Sequence, residues 1–212
     1  LLEETNEVQV ETIVIVDFGS QYSRLIARRV RECNVYCTLV PHTVSWEEIQ
    51  PLNPRGVILS GGPASIYEPG APTAPPWIFD HSIPVLGICY GMQAIAHQLG
   101  GRVASGSNRE YGHAVLHQNA AEHPIFRGLP SEIPVWMSHG DRIEELPAGF
   151  ESLAYTENSP LAVMGRDKII GVQFHPEVVH TPQGRDILRN FLYEICGCQG
   201  IWTPENFTKK AI

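Results

Sequence analysis

Three short apolar runs punctuate the first half of the chain: residues 12–16 (Thr-Ile-Val-Ile-Val), 56–60 (Gly-Val-Ile-Leu-Ser) and 84–88 (Pro-Val-Leu-Gly-Ile). Each is rich in β-branched residues and bounded by turn formers. Continuous apolar runs of this length suit strands buried on both faces of a parallel sheet. Helical patterns fall between them. Residues 21–32 place Leu25, Ile26 and Val30 on one side and Arg24, Arg28 and Arg31 on another, the signature of an amphipathic helix. Residues 90–99 predict a second helix, stopped by Gly100 and Gly101. Between Gly101 and Phe174 the pattern breaks into short strands, at 114–117, 135–138, 152–155, 161–164 and 169–174, which predicts a mixed or antiparallel extension of the sheet. A last helix is expected from Thr181, as N-cap, with Pro182 at the first helical position, to about Cys196. Residues 69–76 form a Pro-rich loop.

Strand–helix alternation predicts an α/β layered fold, an open, mixed, mostly parallel sheet flanked by helices. The expected organisation is an N-terminal tail over residues 1–11, one domain over 12–196, and a linker toward another domain over 197–212.

Composition narrows the function classes. A hydrophobic share of 43% with 18% charged residues fits a soluble globular domain. The net charge is -8, and the 15 basic residues form neither a block nor a stripe, so nucleic acid and anionic membranes are not expected partners. The apolar runs are far too short to span a bilayer, and the opening Leu-Leu-Glu-Glu lacks the basic and apolar regions of a signal peptide. Five cysteines without a secretion signal suggest reduced thiols and a cytoplasmic location. Cys196 and Cys198 are too closely spaced for the usual zinc pair and lack a second pair, so no metal site is expected. Cys33 and Cys37 read as small, partly buried apolar residues.

Three segments carry chemistry. Gly87-Ile-Cys89-Tyr-Gly91 joins a predicted strand to a predicted helix, the glycine-x-nucleophile-x-glycine pattern of a nucleophile elbow. The helix N-terminus behind such a cysteine carries partial positive charge, which favours the thiolate. A structural alternative is a buried cysteine in a tight turn. Val172-Gln-Phe-His175-Pro-Glu177 follows another strand. In extended geometry residues two apart share a side, so His175 is expected to reach the thiol while Glu177 orients the imidazole, as in catalytic triads. Alone, a His-Pro-Glu is more often a surface loop. Gly61 and Gly62, before Pro63, end a third strand, where backbone N–H groups can approach an anion closely. Alone, they are also an ordinary glycine turn.

Together these segments resemble the class I glutamine amidotransferases, a family with a Cys-His-Glu triad. The resemblance covers roughly residues 12–196. It implies that Cys89 attacks the carboxamide carbon of L-glutamine, that His175 moves the proton, and that Glu177 fixes the imidazole tautomer. It further implies an oxyanion hole from the N–H groups of Gly62 and Tyr90, and substrate contacts from Gln93, Ser138, His139, Gly140 and Asp141. From the residues alone, Gln93 also reads as an exposed helix position and 138–141 as a strand-ending turn. The stretches Asp17–Tyr22, Arg109–Gly112, Met137–Asp141, 174–184 and 201–204 are similar to those members whose ammonia aminates xanthosine monophosphate. That similarity implies an ATP pyrophosphatase (synthetase) domain as partner. ATP and Mg are expected there, and no cofactor in this domain. Two rival readings stand beside this one. The first is another class I amidotransferase or a γ-glutamyl peptidase on the same scaffold. The second is a non-catalytic α/β module that uses Cys89 as a redox sensor. A sensor needs a reactive thiol but neither His175 nor Glu177.

Overall fold

The computed structural model describes residues 10–204, without the side chains of residues 107–109. Most of the expected N-terminal tail, the end of the expected linker and the side chain of Arg109 lie outside the described residues. Within them the chain runs β1 (Thr12–Asp17), α1 (Ser23–Glu32), β2 (Tyr36–Pro41), α2 (Trp46–Ile49), β3 (Pro54–Leu59), α3 (Trp77–Asp80), β4 (Val85–Ile88), α4 (Tyr90–Gln98), β5 (Arg102–Gln118), β6 (Glu132–Glu145), β7 (Glu151–Tyr155), β8 (Val163–Arg166), β9 (Ile169–Val172) and α5 (Gly184–Asn190).

All nine strands form one sheet, in the order β2-β1-β3-β4-β9-β8-β7-β5-β6. From β2 through β9 the neighbours are parallel, and from β9 through β6 they are antiparallel. The expected mixed sheet is present, with its antiparallel extension where the pattern changes.

The apolar runs become strands because both of their faces are covered. Ile13 and Ile15 join a core with Ile26 and Val30 of α1 and Ile187 and Leu188 of α5. Val14 and Val16, pointing the other way, join a second core with Trp77 of α3 and Met92 and Ile95 of α4. Strict alternation along one strand therefore feeds two layers of helices. α1 buries Ile26, Ala27 and Val30 and leaves Arg28 and Arg29 to pair with Glu32 at its outer surface. Those pairs contribute little to stability.

Three expectations need correction. The last helix begins at Gly184, with Gln183 as its N-cap, not at Thr181. The Thr181 hydroxyl is otherwise engaged: it donates to the His175 carbonyl at 2.7 Å and accepts the Trp136 N–H at 3.0 Å. It therefore cannot cap a helix. The same helix changes to a wider π-turn over Phe191–Ile195. The short strands expected at 114–117 and 135–138 are parts of the long β5–β6 hairpin, whose register breaks between Ser105 and Glu110. β2 was not expected. It lies at the sheet edge with only Cys37 fully buried, although residues 35–40 (Val-Tyr-Cys-Thr-Leu-Val) are largely apolar.

Candidate active site

Four adjacent parallel strands, β1, β3, β4 and β9, end on the same edge of the sheet. The segments that follow them are the ones the motifs single out. Such an edge is where open α/β sheets place their ligands.

Cys89 sits between β4 and α4 with φ 51° and ψ -104°, an unfavourable conformation for a residue with a Cβ. Its surroundings enforce it. The Cys89 N–H donates to the Val172 carbonyl at 2.7 Å, and the Cys89 carbonyl accepts the Gln93 N–H at 3.1 Å. The turn is closed by the two glycines. A Cβ on Gly87 would lie 2.6 Å from the Gly91 carbonyl carbon, and one on Gly91 would lie 2.4 Å from the Leu59 carbonyl oxygen. Tyr90 opens α4, so its N–H is among those with no intrahelical acceptor.

His175 follows a bend at residues 173–174 and Glu177 lies in the turn after it, so neither belongs to a strand. The reasoning from strand alternation is therefore wrong in its cause, although the two side chains do meet. His175 Nδ1 is 2.8 Å from Glu177 Oε1, which leaves Nε2 to face the thiol. Burial works against charge on His175. Hydrogen bonding to the Cys89 and Glu177 side chains, with their negative charge, outweighs burial and holds its pKa above the ordinary value. Glu177 is fully buried, and its Oε2 has no hydrogen-bond partner among the described residues. A buried carboxylate with one partner favours positive charge on that partner.

The position of His175 is over-determined. Its N–H donates to the Trp136 carbonyl at 3.0 Å, Thr181 holds its carbonyl, and the Tyr22 ring packs edge-on at 5.6 Å between centroids. Gly61 lies beside the imidazole: a Cβ there would sit 3.4 Å from His175 Cε1, in ordinary van der Waals contact. Arg29 of α1 donates to the Glu177 carbonyl at 3.0 Å. Thr181→Val should expose what this bracing contributes. It leaves a buried carbonyl and a partly buried N–H without their partner, at a cost of about 1–3 kcal/mol. The expected result is a lower melting temperature together with slower turnover. An unchanged melting temperature would contradict the assignment.

A cavity of about 380 Å³ opens beside the thiol. It is lined by Gly62, Cys89, Tyr90, Gln93 and the Ser138–Asp141 segment of β6, among others. All the expected substrate-contact residues thus reach one cavity. Gln93 is 3% exposed, which removes the reading as an exposed helix position. Its amide donates to the Asp141 carbonyl at 3.0 Å. Ser138–Asp141 is continuous strand rather than a terminal turn, because β6 runs on to Glu145. Tyr67, from the loop after Gly62, donates to Asp141 Oδ1 at 2.9 Å.

Sequence reasoning missed several residues here. Gln173 is 1% exposed and donates to the Cys89 sulfur at 3.5 Å. Its place between β9 and His175 was the available signal. Glu110, Thr156 and Ser159 form a buried cluster behind His139. They come from distant parts of the chain, and no local pattern marks them. The remaining cysteines have no place in this site. Burial pushes the thiols of Cys37 and Cys198 up to about 11 and about 12 respectively. Among the described residues, no group of three or more His, Cys, Asp or Glu could hold a metal ion, and no helix is long and apolar enough to cross a membrane.

Comparison with known proteins gives a consistent picture. The family model described as glutamine amidotransferase class-I matches residues 14–195. A GMP synthase [glutamine-hydrolyzing] from Dehalococcoides mccartyi is 60% identical over 212 residues, 100% of this chain and 40% of its own length. The same enzyme from Thermomicrobium roseum is 59% identical over 202 residues, 95% of this chain and 38% of its own length. The chain thus spans about 40% of the length of these curated relatives. A crystal structure from Thermoplasma acidophilum, described as that of a GMP synthase subunit, superposes with a TM-score of 0.80 at 35% identity, covering 95% of this chain and 98% of its own. A glutamine amidotransferase from Thermotoga maritima shares the fold, with a TM-score of 0.71 at 21% identity over 89% of this chain and 99% of its own.

Proposed function

This chain belongs to the class I glutamine amidotransferase family, and from that premise we propose that it hydrolyses L-glutamine to L-glutamate and ammonia. We further propose that the ammonia serves a synthetase portion that aminates xanthosine monophosphate to GMP. The observation that carries the reading is the meeting of three side chains from separate segments. Cys89 is held on a strained turn at the head of α4, against an imidazole whose far nitrogen is bound to a buried carboxylate.

In the proposed mechanism, the Cys89 sulfur attacks the carboxamide carbon of glutamine while His175 Nε2 carries the thiol proton. Negative charge gathers on the amide oxygen, where the N–H groups of Tyr90 and Gly62 would receive it. The C–N bond then breaks, and His175 gives its proton to the leaving nitrogen, so that ammonia departs and a γ-glutamyl thioester remains. Water attacks the thioester carbon and gives a proton to His175. The C–S bond breaks, His175 returns a proton to the sulfur, and glutamate leaves. Glu177 acts throughout on the imidazole: it fixes Nδ1 as the protonated nitrogen and supports the imidazolium. Gln93 and the Ser138–Asp141 segment would hold the α-amino and α-carboxylate groups of the substrate.

This chemistry needs no cofactor in the domain; ATP and Mg belong to the proposed synthetase portion. The domain proper would span residues 12–196, and the segment from Gly197 would lead toward the synthetase portion. Its described part lies against the beginnings of the parallel strands. The Gln199 N–H donates to the Glu11 carboxylate, and the Trp202 N–H donates to the Asn34 carbonyl. A cytoplasmic location, with neither nucleic acid nor membrane as partner, completes the reading.

The test is glutamate release from glutamine, measured for the chain alone and with the synthetase portion, ATP and xanthosine monophosphate. The chain alone is expected to turn over slowly. The loops around the thiol can rearrange on docking, and a partner that prefers the closed arrangement shifts the population toward it. Release that is absent under both conditions overturns the reading. A redox sensor is separated by Glu177→Ala, which would spare thiol oxidation but slow a glutaminase.

A further inference from the structure

Behind the substrate cavity lies a buried polar cluster that the triad chemistry does not use. Glu110 of β5 is 7% exposed, and its carboxylate gathers three side chains. Ser159 Oγ donates to Oε2 at 2.6 Å, Thr156 Oγ1 donates to Oε1 at 3.1 Å, and His139 Nε2 stands 3.3 Å from Oε2. His139, Thr156 and Ser159 are all buried. On its other side the His139 ring meets the cavity wall. Nδ1 is 2.9 Å from the Asp141 carbonyl oxygen, and since a carbonyl only accepts, Nδ1 must donate. That same oxygen also accepts from Gln93 at 3.0 Å. One backbone carbonyl of the wall is thus gripped from the helix side and from the cluster side.

We infer that Glu110 is a positioning residue for substrate binding: acting through His139, it holds the Ser138–Asp141 wall in the shape that receives the amino-acid end of glutamine. The inference rests on the proposed glutaminase reading. Glu110 is not among the cavity-lining residues, so it touches no reacting atom. The fold alone does not account for it. A buried ionisable pair costs desolvation that its attraction roughly offsets, and apolar residues of the same volume stabilise as well or better. The hairpin register shifts between Ser105 and Glu110: Asp141 pairs with Ser105 and His139 with Glu110, so β5 bulges opposite Gly140 in the middle of the wall. The cluster adds a side-chain tie at this bulge, from Glu110 to His139, its partner on the facing strand. Burial works against charge on Glu110, yet hydrogen bonds from His139, Ser159 and Thr156 hold its pKa below the ordinary carboxylate value.

The deciding variant is Glu110→Gln, which keeps the volume and loses the charge-assisted contacts. Its KM for glutamine should rise about tenfold while kcat changes little, the pattern for loss of binding shared by ground and transition states. A second readout separates the wall from the thiol. Alkylation of Cys89 by iodoacetamide, which needs no wall, should proceed at the wild-type rate. Labelling by a glutamine-shaped chloroketone should slow about tenfold, in step with KM. Ser159→Ala and Thr156→Val, which each remove one donor to Glu110, should move the same readouts in the same direction by less. A lower melting temperature with unchanged KM would make the cluster purely structural and overturn the proposal. So would a common failure of all three variants to fold. Wild-type protein that releases no glutamate even with the synthetase portion is a different failure, because it removes the glutaminase reading itself before any variant is compared.

Discussion

Cys89→Ala is expected to lower glutamine hydrolysis on the order of 10⁴-fold or more, with the fold intact. The covalent step has no substitute, because the bonds of the His175 ring go to Glu177 and Cys89, and the nearby Thr181 hydroxyl is bound to the His175 backbone instead. The fold should survive because the substitution removes a single buried atom, and alanine carries the same Cβ through the same strained φ of 51°. His175→Ala should be comparably severe, since in the proposed mechanism every proton transfer runs through its imidazole. Glu177→Ala should be milder: the imidazole would lose its orienting partner, but the His175 backbone would keep its bonds to the Trp136 carbonyl and the Thr181 hydroxyl. Residues of a triad act as a unit. The Cys89→Ala, His175→Ala double variant should therefore be little worse than either single change. Glutamate release under saturating glutamine, together with thermal melts of each variant, checks the set. Losses that multiply in the double variant would mean that the two side chains act independently, and the triad assignment would fail.

Where the chain's local chemistry is strong, the sequence alone reveals the structure. The runs at β1, β3 and β4 are legible because strands buried on both faces must be apolar at every position, and the elbow is legible because glycine is the only residue that fits there. β2 escapes the sequence reading although residues 35–40 (Val-Tyr-Cys-Thr-Leu-Val) are largely apolar and β-prone; as an edge strand it buries only Cys37 fully. The start of α5 is misread for a different reason. Thr181-Pro182 has the chemistry of a helix start, but tertiary contacts claim the threonine hydroxyl for the His175 carbonyl and the Trp136 N–H. Local preference loses to a long-range partner, here 45 residues away in sequence for Trp136. The triad follows the same division. Cys89 is marked by its own turn. The pairing of His175 with Glu177 was expected for the wrong reason, because a turn rather than a strand brings them together. Gln173 and the Glu110 cluster depend wholly on packing between segments. Glu110 and Ser159 are 49 residues apart, and neither sits in a pattern that distinguishes a buried network from a solvated surface.

Gly91→Ala is expected to destabilise the chain by about 3 kcal/mol, the upper end of the usual cost of overpacking, and to cut turnover by about two orders of magnitude. The two effects share a cause. The added Cβ would lie 2.4 Å from the carbonyl oxygen and 2.9 Å from the carbonyl carbon of Leu59. Both are backbone atoms of a strand buried in the middle of the sheet, so β3 cannot yield and α4 must move instead. α4 carries Tyr90 and Gln93 and begins at Cys89, so any shift moves the sulfur and the Tyr90 N–H away from the carbon they must meet. Misplacement by about 1 Å is enough for a loss of that size. Gly128→Ala supplies the contrast. Its φ is 73°, but a Cβ there would meet nothing within 4 Å. It should cost only the backbone strain of about 1 kcal/mol and leave turnover unchanged. Denaturant melts and glutamate release for the two variants separate strain from collision. If Gly91→Ala matches Gly128→Ala in both measurements, the turn tolerates a methyl group. The close approach of α4 to β3 would then not be what holds the nucleophile in place.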